Sequence, residues 1–443
     1  MRLAGKRPVN RRPVGKPNEV FAPAATPDPF RIFPKVIRMH ALQTASADAR
    51  GSDLRIIAAQ DDYPEYSGPL SLDALIAEVE RRRDDFDALS HVPRDMVAKM
   101  KRAGIFRAST PQRFGGDALP PHRFLAMLER IAVADGSTAW VAAFGSANTY
   151  LAALPLDTQA KLYASGPDQV FAGGLYPLQK AQRAPGGFKV SGQWRFASGC
   201  KGADWIGVGI GGTPANAGEP NAGKPFTAVL PASEVEIVEN WQVVGMQGTG
   251  SHDLRLKDKF VDDAWTFVRG GIALIDEPLY RYPAVAYQAQ VHASVNIGLA
   301  RAALDLLAGL SGVTQTTTGA PRLADRAYYR SGLAQAEARL RSARAFFFES
   351  AEAAWQTILA GDPIAPAEAN LLRLSATHAA HTCAGVVMDA YKMAGIGAIY
   401  RESRLQRLVR DSIVVTQHAF LGEGTYDASG ALFVGIAPVT PYP

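Results

Sequence analysis

From Ser71 onward the chain repeats apolar residues at the three-and-four spacing of a helix with one buried face. In SLDALIAEVERRRDDFDALSHVPRDMVAKMKRAGIF, Leu72, Leu75, Ile76 and Val79, then Val97 and Met100, carry the pattern, and Gly104 supplies a stop. A second helical block, LPPHRFLAMLERIAVADGSTAWVAAFGSANTYLAALP, opens on prolines and breaks near Gly136. Between about residues 170 and 268 the period falls to two, in FKVSGQWRF, FTAVLP, EVEIV and DLRLKDKFV, with Gly and Pro clusters between the runs. From about Pro283 helical spacing returns in long stretches such as VNIGLARAALDLLAGL and EANLLRLSATHAAHTCAGVVMDAYKMAG. The pattern predicts a mainly α protein with a central β domain. Its expected divisions are a disordered Pro-rich basic leader over 1–68, an N-terminal helical domain over 69–167, a middle β domain over 168–280 and a C-terminal helical bundle over 281–443.

Charge changes this picture only at the N-terminus. The first 40 residues hold nine Lys/Arg and two acids, a net +7 against +5 for the whole chain, so the remainder sums to −2. A mildly acidic body lacks the electrostatic footprint of a nucleic-acid binder. No run of about 18 uncharged apolar residues predicts a membrane span. Two cysteines, Cys200 and Cys383, are too few for a disulfide framework, which points to a cytoplasmic location.

Several short patterns mimic known sites. GVGIGG over Gly207–Gly212 spells a dinucleotide fingerprint, but TPANAGEP follows it and cannot open a helix; the segment GEPNAGKP, ending at Pro225, reads as a hairpin loop and not a phosphate loop. Ser251, His252 and Asp253 cannot converge as a triad, because neighbours on a strand point to opposite faces. His378 and His381 lie at helical spacing without the acidic partner of a metal motif, so no metal is expected.

The helical–β–helical plan, together with GGFKVSGQWRFASGCKGADWIGVG, VVGMQGTGSHDLRLKDKFVDD and RLQRLVRDSIVVTQHAFLGEG, resembles the acyl-CoA dehydrogenase superfamily over residues 70 to 440. Within it the chain looks most like the two-component flavin-dependent monooxygenases, which include the oxygenase component of 4-hydroxyphenylacetate hydroxylase. The resemblance implies a middle domain like a β-barrel, a C-terminal four-helix bundle and a homotetramer. It also implies reduced FMN or FAD delivered by a separate NAD(P)H:flavin reductase, with dioxygen as co-substrate. In that branch a histidine follows an Arg-Asp pair, where the dehydrogenases place a glutamate base. Here Arg410-Asp411 is followed by His418, the expected base or peroxide partner, while Glu423 in GEGT is the base of the alternative, an acyl-CoA dehydrogenase with FAD. A third reading keeps the scaffold as a non-catalytic flavin-binding protein.

By the same resemblance Ser198 in WRFASG faces the flavin and hydrogen-bonds near N5, protecting a C4a-hydroperoxide from loss of peroxide. Phe196 and Trp194 are expected as inward residues walling the ring, although packing alone also explains Trp194. Gly199 adjoins the same turn. In GMQGTGS, glycines would let the backbone approach the flavin, with Thr249 and Ser251 offering hydroxyls and Gln247 facing a small, aromatic substrate. Asn148 stands where phenol-hydroxylating relatives often carry histidine, and can hydrogen-bond a substrate without ionising it. Arg404, Arg407 and Arg410 form a stripe that either pairs with acids on adjoining helices or reaches a flavin phosphate across a subunit boundary.

Overall fold

A computed structural model describes residues 69–211, 225–312 and 321–438. The expected leader over 1–68 and most of the loop ending at Pro225 lie outside the described residues. The N-terminal helices are α1 (Leu72–Leu89), α2 (Arg94–Arg102), α3 (Pro121–Ala134), α4 (Gly136–Ala143), α5 (Asn148–Leu151) and α6 (Leu156–Leu162). Ser71 caps α1 by accepting from the Ala74 amide at 3.1 Å, and Leu75, Val79 and Phe86 form its buried face. The break near Gly136 is made by Asp135. Its extended backbone (φ −159°) ends α3, and its carboxylate then accepts from the Thr138 amide and hydroxyl at 2.8 and 2.7 Å to start α4. Every residue of α4 is buried, so this helix runs through the interior.

The strands are β1 (Phe171–Ala184), β2 (Gly187–Ala197), β3 (Trp205–Gly211), β4 (Pro225–Pro231), β5 (Glu236–Val238), β6 (His252–Asp262) and β7 (Thr266–Val268). They form one sheet in the order β5-β6-β2-β1-β3-β4-β7, parallel only between β1 and β3. Gly207–Gly211, the start of the apparent dinucleotide fingerprint, lies inside β3. A small apolar cluster of Leu151, Leu154, Leu162, Phe171, Val229 and Phe267 fastens α5 and α6 to the sheet.

The C-terminal helices are α7 (Ala284–Gly309), α8 (Ala327–Leu359), α9 (Pro366–Ala394), α10 (Arg404–Thr416) and α11 (Gly424–Phe433). Helix α7 is buried almost all round because it packs against α3, α4, α9 and α10 at once. A polar side chain on such a helix must find a partner in protein or in a ligand.

Candidate active site

Strand β2 ends in a distortion that sets the site. Trp194 pairs with Leu254 and Ala197 with His252, so β2 spends one more residue than β6 over this step. The extra residue is a bulge, a device that re-aims side chains. Phe196 takes it up in the left-handed region (φ +63°). This corrects the expectation that Trp194 and Phe196 share an inward face. Phe196 is 57% exposed and edge-on to Trp241, while Trp194 is fully buried and donates through Nε1 to the Gly209 carbonyl at 2.7 Å. Trp194 therefore packs in the core of the sheet. Beyond the bulge Ser198 turns inward and Gly199 (φ +71°) closes the turn through its amide to the Thr249 carbonyl at 2.8 Å.

Ser198 stands in a row of buried hydroxyls whose proton directions are fixed. Thr249 Oγ1 donates to the Met246 carbonyl at 2.7 Å, so its single proton is used. Ser251 must then donate to Thr249 at 2.7 Å, and Ser198 to Ser251 at 2.6 Å. At the head of the row Trp140 Nε1 donates to Ser198 Oγ at 3.2 Å. Ser198 Oγ is left with one free lone pair and no free proton. It can only accept.

The Trp140 ring leads on to two histidines. His292 lies 4.3 Å from it and His418 5.4 Å, and the two imidazoles stack with centroids 4.3 Å apart and planes 16° from parallel. Phe144 and Phe420 close the sides at 6.3 and 5.1 Å from His292 and His418 respectively. Burial holds the His292 pKa down to about 4; burial and then His292 hold His418 well below the ordinary imidazole value. Both rings are neutral at pH 7.

Other expected contact residues have partners within the protein. Asn148 Nδ2 donates to the Phe106 carbonyl and to Thr110 Oγ1 at 2.8 and 2.9 Å, which leaves only its buried Oδ1 to accept. Gln247 Nε2 closes a local turn onto the Val243 carbonyl at 2.9 Å. The glycines of GMQGTGS serve close packing within the protein and do not make room for a ligand: a Cβ at Gly245 would stand 2.5 Å from the Arg410 carbonyl oxygen, and one at Gly250 2.7 Å from His91 Cβ. In the arginine stripe, Arg407 meets Asp84, Asp87 and Asp135 at 2.8–3.0 Å, and Arg404 caps α3 at the Val133 and Ala134 carbonyls. Those two arginines are structural. Arg410, half-buried, bonds Gln406 Oε1 at 2.9 Å and the Val244 carbonyl.

The remaining candidates resolve similarly. Ser251 faces Ser198 while His252 Nδ1 accepts from the Asn240 and Trp241 amides, so no triad forms. Burial pushes the Cys200 thiol up to about 12, well away from a reactive thiolate. His381 Nε2 bonds the Leu421 carbonyl at 2.8 Å, and among the described residues no group of three His, Cys, Asp or Glu could hold a metal. Among the same residues no helix is long and apolar enough to cross a membrane. Glu423 is exposed at the start of α11.

Models of the acyl-CoA dehydrogenase N-terminal and C-terminal domains match residues 73–162 and 290–423. Indole-3-acetate monooxygenase of Pseudomonas putida is 49% identical over 85% of this chain and 96% of its own length. The protein of the same description from Acinetobacter baumannii is 40% identical over 86% of this chain and 98% of its own. The chain belongs to the flavin-dependent monooxygenases of the acyl-CoA dehydrogenase superfamily. The fold agrees. A 3-HSA hydroxylase from Rhodococcus sp. RHA1 superposes on this monooxygenase with TM-score 0.77 at 24% identity, covering 84% of this chain and 97% of that one. TdsC from Paenibacillus sp. A11-2, solved with FMN and indole, gives 0.71 at 17% over 84% and 97%.

The donor set of this monooxygenase fits a reduced flavin. The free acceptor on Ser198 Oγ suits the ring N–H at N5, which the oxidised ring lacks. Aromatic side chains alongside suit a planar ring system. Sequence reasoning missed Trp140 and His292. For His292 the available signal was a lone imidazole within an apolar helical run; Trp140 carried no signal beyond an ordinary core aromatic.

Proposed function

We propose that this monooxygenase is the oxygenase component of a two-component system, oxidising a small aromatic acid of the indole-3-acetate class. Reduced FMN or FAD would come from a separate NAD(P)H:flavin reductase. The observation that carries the reduced-flavin part is the one-way hydroxyl row ending in the acceptor Ser198. The substrate class rests on the two relatives of that description.

Reduced flavin, when bound, supplies the electrons that activate dioxygen, one oxygen atom going to substrate and the other to water. Ser198 holds the proton at N5 by accepting it in a hydrogen bond, with Thr249 and Ser251 fixing the direction of that acceptance. Gly199 shapes the turn, Phe196 remains available on its exposed side, and Arg410, half-exposed and bonded only to neutral groups, would meet a phosphate. His418 offers a hydrogen bond from Nε2, since its Nδ1 already accepts from the Phe420 amide at 3.3 Å. The apolar walls Trp140, Phe144 and Phe420 exclude water around the reacting ring. Exposed Ile396, Ile399, Tyr400, Phe433, Val434 and Ile436 near the C-terminus are suited to subunit contacts, in keeping with the homotetramer that the family resemblance implies.

The test is oxygen uptake with a flavin reductase, NADH and indole-3-acetate. The reading predicts uptake matched by loss of the substrate. Bleaching of bound FAD by an acyl-CoA, with indole-3-acetate untouched, would restore the dehydrogenase reading and Glu423.

A further inference from the structure

The stacked histidines differ in which nitrogen carries the proton. His292 Nδ1 lies 2.6 Å from the Gln288 carbonyl oxygen. A carbonyl only accepts, so Nδ1 bears the hydrogen, and in the neutral ring Nε2 is bare. Among the described residues Nε2 has no hydrogen-bond partner. His418 is the reverse. The Phe420 amide donates to its Nδ1, so its proton sits on Nε2, again without a partner among the described residues.

The surroundings sharpen this asymmetry. Trp140 has spent its N–H on Ser198, and Phe144 and Phe420 offer carbon only. Gln288, whose carbonyl fixes the His292 tautomer, is itself held by Ser146, with Nε2 to Oγ at 3.0 Å. The His292 ring is thus locked, buried and limited to accepting. Its matching ligand is a hydrogen-bond donor, and an indole N–H is such a donor and accepts nothing. A ring oxygen, or any group without a hydrogen to give, is mismatched to this nitrogen.

We propose that His292 Nε2 accepts the ring N–H of an indole-class substrate and makes the enzyme prefer free indoles over isosteres without that hydrogen. The inference rests on the substrate class proposed above. An N–H-free isostere leaves the buried nitrogen unpaired, a loss of about 1–3 kcal/mol, or roughly 5- to 150-fold in affinity.

The experiment is anaerobic calorimetry of the protein saturated with reduced flavin, titrated with indole-3-acetate and with benzofuran-3-acetate, which has the same shape but no N–H. The wild type should favour the indole by roughly 5- to 150-fold. In His292→Phe that ratio should collapse to near one, and in His292→Gln, whose Oε1 can still accept, part of it should return. Should His292→Phe fail to fold, the wild-type ratio and His292→Gln decide. Tight binding of both ligands by the wild type at equal affinity overturns the role of His292 and leaves the substrate class standing. An unchanged ratio in His292→Phe also overturns it. Binding of neither ligand removes the substrate class and this inference together.

Discussion

Asp411 Oδ1 accepts the amide hydrogen of Met246 at 2.5 Å and so ties helix α10 to the loop that carries Thr249 and Ser251. The Met246 carbonyl then receives Thr249 Oγ1, the last step of the hydroxyl row from Ser198. The Arg-Asp pair of the sequence motif therefore works on the site through backbone. Asp411 orders the loop.

This anchor has a pH signature. Burial raises the Asp411 carboxyl to about 7 against the pull of Arg407 and the Met246 amide. Because the folded state then holds more protons than the unfolded one between pH 3.8 and about 7, the group costs stability as pH rises through that window. Asp411→Asn keeps an acceptor for Met246 and carries no charge, so its melting temperature should rise relative to wild type between about pH 5 and 7.5. Asp411→Ala strands the amide and should lose about 1–3 kcal/mol at every pH.

The histidine pair has the opposite sign. Folding lowers the His292 pKa to about 4, so the unfolded chain binds more protons below its ordinary value of 6.5. Stability is complete above that value and falls as pH drops towards 4. Moving from pH 6.5 to 5 should cost about 2 kcal/mol for this residue alone. Thermal melts of wild type and His292→Phe at about pH 7.5 and 5 check it: the variant should lose less on acidification.

Ser198→Ala removes the acceptor of Trp140 and the donor to Ser251 together. The expected result is a loss of about 1–3 kcal/mol and a larger share of oxygen appearing as hydrogen peroxide. Peroxide yield per substrate oxidised measures it. An unchanged yield would return Ser198 to a purely local role.

His418 and Glu423 separate the two chemistries of the fold. His418→Ala should lower kcat about 10²-fold or more, whereas Glu423→Gln, at an exposed position, should stay within about twofold. Steady-state rates at saturating reduced flavin decide between them.

The helical–β–helical order was legible because hydrophobic period survives tertiary packing, and alternation could be read directly over residues 188–194 of β2 and 253–256 of β6. Strict alternation failed at two points of the β2–β6 ladder. It placed Phe196 beside Trp194, and one extra β2 residue between Trp194 and Ala197 turned Phe196 out and Ser198 in; an extra β6 residue at Asp258 (φ +47°) likewise left Phe260 exposed and Val261 buried. A bulge of this kind has no local signature without glycine at the left-handed position. Ser198, Thr249, Ser251 and His418 emerged from motif resemblance, and the structure brings the three hydroxyls into one row. Trp140 and His292 were hidden for another reason. Each sits on a helix buried nearly all round, where a polar or aromatic residue reads as core until the neighbouring helices are in place. Arg407 likewise revealed its purpose only when Asp84, Asp87 and Asp135 arrived from two other segments.

The most direct test of the account is isotopic. The protein is supplied with reduced flavin, indole-3-acetate and dioxygen labelled with oxygen-18, and the product is weighed by mass spectrometry. The account predicts one labelled oxygen atom in the product, appearing only when reduced flavin is present. Product without label, or substrate recovered whole while all the oxygen becomes peroxide, would contradict it.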